Sequence, residues 1–182
     1  MESASYSVLR PHLRVGDIIG CQGGGFISKV IRKLKGGEWS WSHVAIVIRD
    51  IGNEGTGRVS VLEALGNGGM QRNYLSKLYE VEHVSLFWLQ MDCDDKQREQ
   101  IMELGAQIRE AKTGYDFRST WLAVFNPIFV DASKFNCSEV AWYLLTKVGR
   151  LLSRFDKKHR AIAPVPGDFP TWSGVEPVLI EL

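Results

Sequence analysis

Trp41-Ser42-His43-Val44-Ala45-Ile46-Val47-Ile48 puts one histidine at the head of an alternating, β-branched run, which predicts a strand. Much later, Phe135-Asn136-Cys137-Ser138-Glu139-Val140-Ala141-Trp142 puts a cysteine where a helix should begin. Asn136 is the cap candidate, and Val140, Ala141, Leu144, Leu145 and Val148 recur at helical spacing. Unpaired N–H groups and the positive end of the helix dipole lower the pKa of a thiol placed there. Between these segments, Val59-Ser60-Val61-Leu62-Glu63-Ala64-Leu65 predicts a strand with an acid on the face of Val59 and Val61. A carboxylate on an apolar face needs a partner. An imidazolium on the neighbouring strand would supply one, and so would an Arg or Lys at the sheet rim. Each residue also has a structural reading: Cys137 as a small buried hydrophobe, His43 as a hydrogen-bonded rim residue. Taken together, His43, Glu63 and Cys137 predict nucleophilic catalysis through a thiolate, with base and orienting acid upstream of the nucleophile.

The 182 residues suit one domain over 1–182, long enough for a substantial core. A net charge of +1 provides no overall field toward nucleic acid or membrane. Cys21, Cys93 and Cys137 are odd in number and scattered, which argues against a disulfide framework. The opening Met1-Glu2-Ser3-Ala4-Ser5-Tyr6 lacks a basic and apolar leader, and no run is long enough to span a bilayer. The default expectation is cytoplasmic, with signal-less export also compatible.

Val15 to Cys21 predicts a short buried strand leading into Gly23-Gly24-Gly25, and 26–35 has helical spacing stopped by Gly36-Gly37. Strands are expected over 43–49 and 58–64, joined as a hairpin, and a third over 81–91. Asp92 to Lys112 predicts a helix capped by Asp94 or Asp95, and 137–148 predicts another. Pro164, Pro166 and Pro170 predict extended turns in the tail. The order implies an α+β fold with a small antiparallel sheet packed against helices.

The series Gly16-Asp17-Ile18-Ile19, Trp41 to Val47, Val61-Leu62-Glu63-Ala64, Tyr115-Asp116 and Phe135 to Val140 resembles the circularly permuted NlpC/P60 hydrolases, in particular a YiiX/YebB-like branch. The tail Pro164-Val165-Pro166-Gly167-Asp168-Phe169 also resembles that of the permuted branch, so the likeness spans 15–169. It implies a permuted papain-like fold with Cys137 as nucleophile, His43 as base and Glu63 as the residue orienting His43.

Tyr115 is a further candidate, its hydroxyl joining the Cys137 N–H around an oxyanion, with a wet rim aromatic as the alternative. Asp17 reads as a local hydrogen-bond acceptor. Gly23-Gly24-Gly25 is not followed by Gly-Lys-Ser/Thr, which argues against a nucleotide site. No cofactor is expected, and the histidines and cysteines never cluster at metal-ligand spacing. Trp39 and Trp41 could wall a groove, although core positions suit them better. The basic run from Lys147 to Arg160, interleaved with Leu151, Leu152 and Phe155, reads as solvated surface with weak support for a membrane contact. The expected activity is amide hydrolysis through an acyl-thioester on a peptide, a cell-wall peptide being one candidate, or on an acylated small molecule. The rivals are a lipid-directed thiol acyltransferase or esterase, and a non-catalytic binding module.

Overall fold

The computed structural model describes residues 2–23, 39–54, 57–65, 69–79, 84–111, 114–115, 128–129, 134–151, 154–155, 161–163 and 165–181. The helix expected over 26–35, the turn glycines Gly24 and Gly25, and Asp116 lie outside these residues. In chain order the elements begin with strand β1 (Ser3–Ser5), helix α1 (Tyr6–Leu9), β2 (Ile18–Gln22), β3 (His43–Arg49), α2 (Ile51–Glu54), β4 (Ser60–Leu65) and β5 (Gly69–Tyr74). They continue with α3 (Leu75–Tyr79), β6 (Ser85–Leu89), α4 (Asp95–Glu110), β7 (Gly114–Tyr115), β8 (Ile128–Phe129), β9 (Lys134–Phe135) and α5 (Cys137–Lys147). The chain closes with β10 (Arg154–Phe155), β11 (Ala161–Ala163), a 3-10 turn (Pro166–Asp168), α6 (Phe169–Ser173) and β12 (Val178–Glu181).

Seven strands form the main sheet in the order β1-β12-β6-β2-β3-β4-β5, with β10-β11-β8 and β7-β9 as smaller sheets. The fold is α+β as expected, but its sheet is neither small nor wholly antiparallel. β1 pairs with β12 in parallel at one edge, bringing the two ends of the chain together. Both strands are short and only partly buried, so they carry little alternating pattern to read. The hairpin partner β5 was also absent from the expectation, because Gln71, Arg72 and Asn73 make it polar. The tail departs from extended turns too, since Pro166 and Pro170 open helical turns, where proline's fixed φ is favourable.

The central strands bury both faces. Val44, Ile46 and Ile48 of β3 join the cluster that receives Ile101 and Ile108 of α4 and Val140, Ala141, Leu144 and Leu145 of α5. Ala45 and Val47 face a second cluster with Ile19, Val59, Val61, Leu75 and Ile180. This two-sided burial explains the unbroken apolar run that follows His43. α4 begins as its sequence indicates: Asp94 accepts from the Gln97 N–H at 2.8 Å, and the Gln97 side chain accepts from the Asp94 N–H at 3.0 Å.

Gly20 has a packing reason, because a Cβ there would lie 2.3 Å from the wholly buried Trp41 ring. Asp17 ties three segments to one carboxylate. It accepts from the Arg14 N–H (2.9 Å), the Trp88 Nε1–H (2.9 Å) and the Met91 N–H (3.0 Å), while its carbonyl accepts from the Val47 N–H (2.8 Å). Burial pushes its pKa up against those bonds. The Arg14 bond is the local one that its sequence context suggested, whereas the bonds from Trp88 and Met91 reach far along the chain. Replacing it by Ala would leave the Trp88 indole and two backbone donors without their acceptor. Urea unfolding of Asp17→Ala should show a loss of about 3 kcal/mol, with Asp17→Asn losing less.

Candidate active site

The N-terminus of α5 is built by a buried capping box. The Asn136 side chain accepts from the Ser138 and Glu139 N–H groups, each at 3.0 Å, and Glu139 Oε2 accepts from the Asn136 N–H at 2.8 Å. The box makes Cys137 the first helical residue and takes no part of its backbone N–H. The apolar stripe of α5 then docks on β3 and β4, which fixes that helix end against the strands carrying His43 and Glu63.

His43 is the first residue of β3, and its ring keeps 22% exposure while Glu63 in β4 keeps 2%. His43 Nε2 and Glu63 Oε2 are 2.8 Å apart. The second carboxylate oxygen, Oε1, accepts from Asn73 Nδ2 at 2.8 Å. With Nε2 turned to Glu63, Nδ1 is the ring nitrogen left for the thiol, and His43 and Cys137 interact through both charge and a side-chain hydrogen bond. The awkward acid of β4 therefore has the imidazole as partner, not a rim Arg or Lys.

Electrostatics favour the charged form of all three groups. Burial alone would discharge the imidazole, but the Cys137 thiolate and the Glu63 carboxylate outweigh it and raise His43 to about 10. Burial likewise pushes the Cys137 thiol up. The imidazolium, with hydrogen bonds from the Val44 backbone and Ser138, overcomes this and brings the thiol below its ordinary 9.0. Burial also raises Glu63, yet the His43 and Asn73 bonds leave it below 4.5. The shifts of the thiol and the ring both favour a thiolate–imidazolium pair, with the Glu63 carboxylate beside the ring.

Asn73 is the residue that sequence reasoning missed. β5 gave no apolar alternation, and the signal that could have found it was positional. Val61 pairs with Asn73 and Glu63 with Gln71, so Asn73 is the diagonal cross-strand neighbour of Glu63. Tyr115 contributes its backbone to β7, pairing with Phe135 immediately before the cap, while its side chain lies outside the described residues. Trp41 is wholly buried core and Trp39 packs against that core, so Trp41 walls no groove.

The other thiols differ from Cys137. Cys21, paired in register with His43, is pushed well above 9.0 by burial and by the negative charges of Glu63 and Cys137. Burial raises Cys93 to about 11. Of the basic run, Arg150 is committed to the fold, its Nε donating to the Met91 carbonyl. Among the described residues no group of three or more His, Cys, Asp or Glu side chains is arranged to hold a metal ion. Among them, too, no helix is long and apolar enough to cross a membrane.

No protein-family model matches the chain, and no curated protein sequence matches it. Its fold is similar to that of YiiX from Escherichia coli O157:H7, described as a metalloprotein, with a TM-score of 0.60 and 17% identity. The match covers 92% of this chain and 97% of YiiX. At that identity the likeness is one of fold.

Iodoacetamide at neutral pH should give a single adduct on Cys137 in the folded protein, with Cys21 and Cys93 modified only after unfolding. Equal labelling of the three thiols in the folded state would contradict the charge distribution described. The carboxylate also carries a pH signature. A carboxyl with a lowered folded pKa contributes stability that is complete above its ordinary 4.5 and lost as pH falls through the folded value. Urea unfolding should therefore show Glu63→Gln less stable than wild type at pH about 6, with the gap closing as acid protonates Glu63.

Proposed function

We propose that the chain is a thiol hydrolase of the permuted NlpC/P60, papain-like kind, cleaving an amide bond through an acyl-thioester. The observation that supports this reading is the meeting of Cys137 at a helix N-terminus with His43, itself held by Glu63 at 2.8 Å. The order of motifs along the chain and the YiiX-like fold are both compatible with it.

In this mechanism the Cys137 sulfur attacks the carbonyl carbon of the substrate, forming a C–S bond as the carbonyl electrons move to oxygen. The proposed donors to that oxygen are the Cys137 backbone N–H at the start of α5 and the Tyr115 hydroxyl. Collapse of the tetrahedral species breaks the C–N bond, and the His43 imidazolium gives its proton to the departing amine. Water then attacks the thioester while His43 takes a proton from it. The thiolate leaves, the acid is released, and the ion pair is restored. Glu63 remains ionised throughout, holding the ring orientation and supporting the imidazolium. Although YiiX is described as a metalloprotein, the described side chains of this chain do not assemble a metal donor set, and no step here is routed through one.

The substrate proposed is a peptide or an acylated small molecule bearing an amide, a cell-wall peptide among the candidates, acted on in the cytoplasm. An activated acyl-amide probe incubated with the protein should leave one acyl adduct on Cys137, detected by mass spectrometry. Cys137→Ala should abolish both adduct and turnover while changing stability by no more than about 1 kcal/mol, since little volume is removed. Turnover undiminished in Cys137→Ala would overturn the proposal. Glu63→Gln should lower the rate by roughly tenfold to a thousandfold and raise the Cys137 pKa, as expected of an orienting residue.

A further inference from the structure

On the far side of β4 from β3, the edge strand β5 lines a cavity of about 450 Å³. This is the size of a site for a small molecule. Arg72 from β5, Lys77 from α3 and Arg109 near the end of α4 line it, and none of the described residues lining it is acidic. Ser60, Gln71 and Tyr74 add hydroxyl and amide groups to the wall. A fourth cation stands beside them, the Arg58 guanidinium lying 4.9 Å from the centre of the Tyr74 ring.

Three cations drawn from three elements around one space make a setting that suits a bound anion. The chain as a whole carries only +1, so this concentration is local and does not reflect a generally basic surface. Arg72 is held at the wall by donation from Nη2 to Ser60 Oγ at 3.3 Å. Met70 and the Tyr74 ring are the chief apolar groups among the described lining residues. We propose that this cavity binds a small phosphomonoester through Arg72, Lys77 and Arg109. A guanidinium fork suits phosphate oxygens, and a lysine adds a compact charge. A phosphomonoester carries about −1.5 to −2 at neutral pH, a better match to three cations than a single carboxylate. Asn73 also borders the cavity, but its amide donates to Glu63. The site therefore lies behind the carboxylate, away from the attacking sulfur, and its existence does not depend on the thiol chemistry.

Isothermal titration of the full chain with glycerol 3-phosphate and with inorganic phosphate tests this directly. Saturable one-site binding of glycerol 3-phosphate is expected, weakening as salt is added. Tighter binding of glycerol 3-phosphate than of inorganic phosphate identifies an organic ester as ligand, and equal binding identifies the free ion. The double variant Lys77→Gln/Arg109→Gln should bind at least about tenfold more weakly, whereas Lys77→Arg/Arg109→Lys should retain most of the affinity. Circular dichroism and the Cys137 alkylation rate should be unchanged in both, which separates this site from the catalytic proposal. If the double glutamine variant does not fold, Lys77→Gln alone should show the loss. Absence of saturable binding up to about 10 mM, or undiminished binding in the folded glutamine variants, would overturn the proposal. So would binding confined to phosphatidic acid vesicles with none to the soluble ester, since that describes a surface and not this cavity.

Discussion

A carboxylate with 2% side-chain exposure, in the middle of a sheet, is stable only if its charge is answered. Glu63 is answered on both oxygens, by His43 Nε2 and by Asn73 Nδ2. The imidazolium in turn is answered by the thiolate. Removing the ring or its amide partner leaves the buried carboxylate less compensated, so Glu63 depends on these neighbours more than on solvent. The architecture around them follows from this need. Three adjacent strands, β3, β4 and β5, bring ring, acid and amide together by register, and α5 is held end-on so that its first residue meets the ring.

The helix end is the other half of the arrangement. A thiol in the first turn is useful only if that turn does not fray. Here the cap is buried, reciprocal and followed at once by a stripe of core residues. Asn136 and Glu139 therefore work as positioning groups for Cys137. Because the cap bonds go to backbone groups on either side of Cys137, the thiol itself is left to His43, the Val44 backbone and Ser138. Asp17 plays the corresponding part for the sheet, binding the Arg14 turn, β6 and the Met91 segment together.

The sequence made the site more legible than the sheet that carries it. Cap, thiol and helical stripe are local signals, and they were readable because Asn136, Cys137 and Val140 to Val148 are contiguous. Glu63 was readable because an acid breaks an otherwise apolar alternation. Nothing local marked Asn73, since a polar residue in a polar edge strand carries no anomaly; its role appears only with the β4–β5 register. The parallel pairing of β1 with β12 is longer-range still, joining Ser3–Ser5 to residues near 180; β1 is too short and polar to announce it, and β12, though apolar over Val178–Ile180, is only four residues long. Expectations of a small antiparallel sheet therefore failed at the edges and held at the centre, where burial on both faces leaves its mark on composition.

The identity of the Asn73 side chain has an electrostatic reason. An arginine in its place could satisfy Glu63 Oε1 equally well, but it would also answer the charge of the carboxylate. The field of Glu63 on His43 would then be partly cancelled, and the imidazolium would lose support while the hydrogen-bond count stayed the same. A neutral donor fixes the geometry of the acid without neutralising it, so the carboxylate charge remains directed at the ring. The cations of the neighbouring strand conform to this logic. Arg72 is adjacent to Asn73 in β5, but strand alternation points its side chain to the opposite face, where it donates to Ser60. The same strand thus gives the buried acid a neutral amide from Asn73 and turns the Arg72 charge toward Ser60, and the period-2 geometry of β structure separates these two side chains.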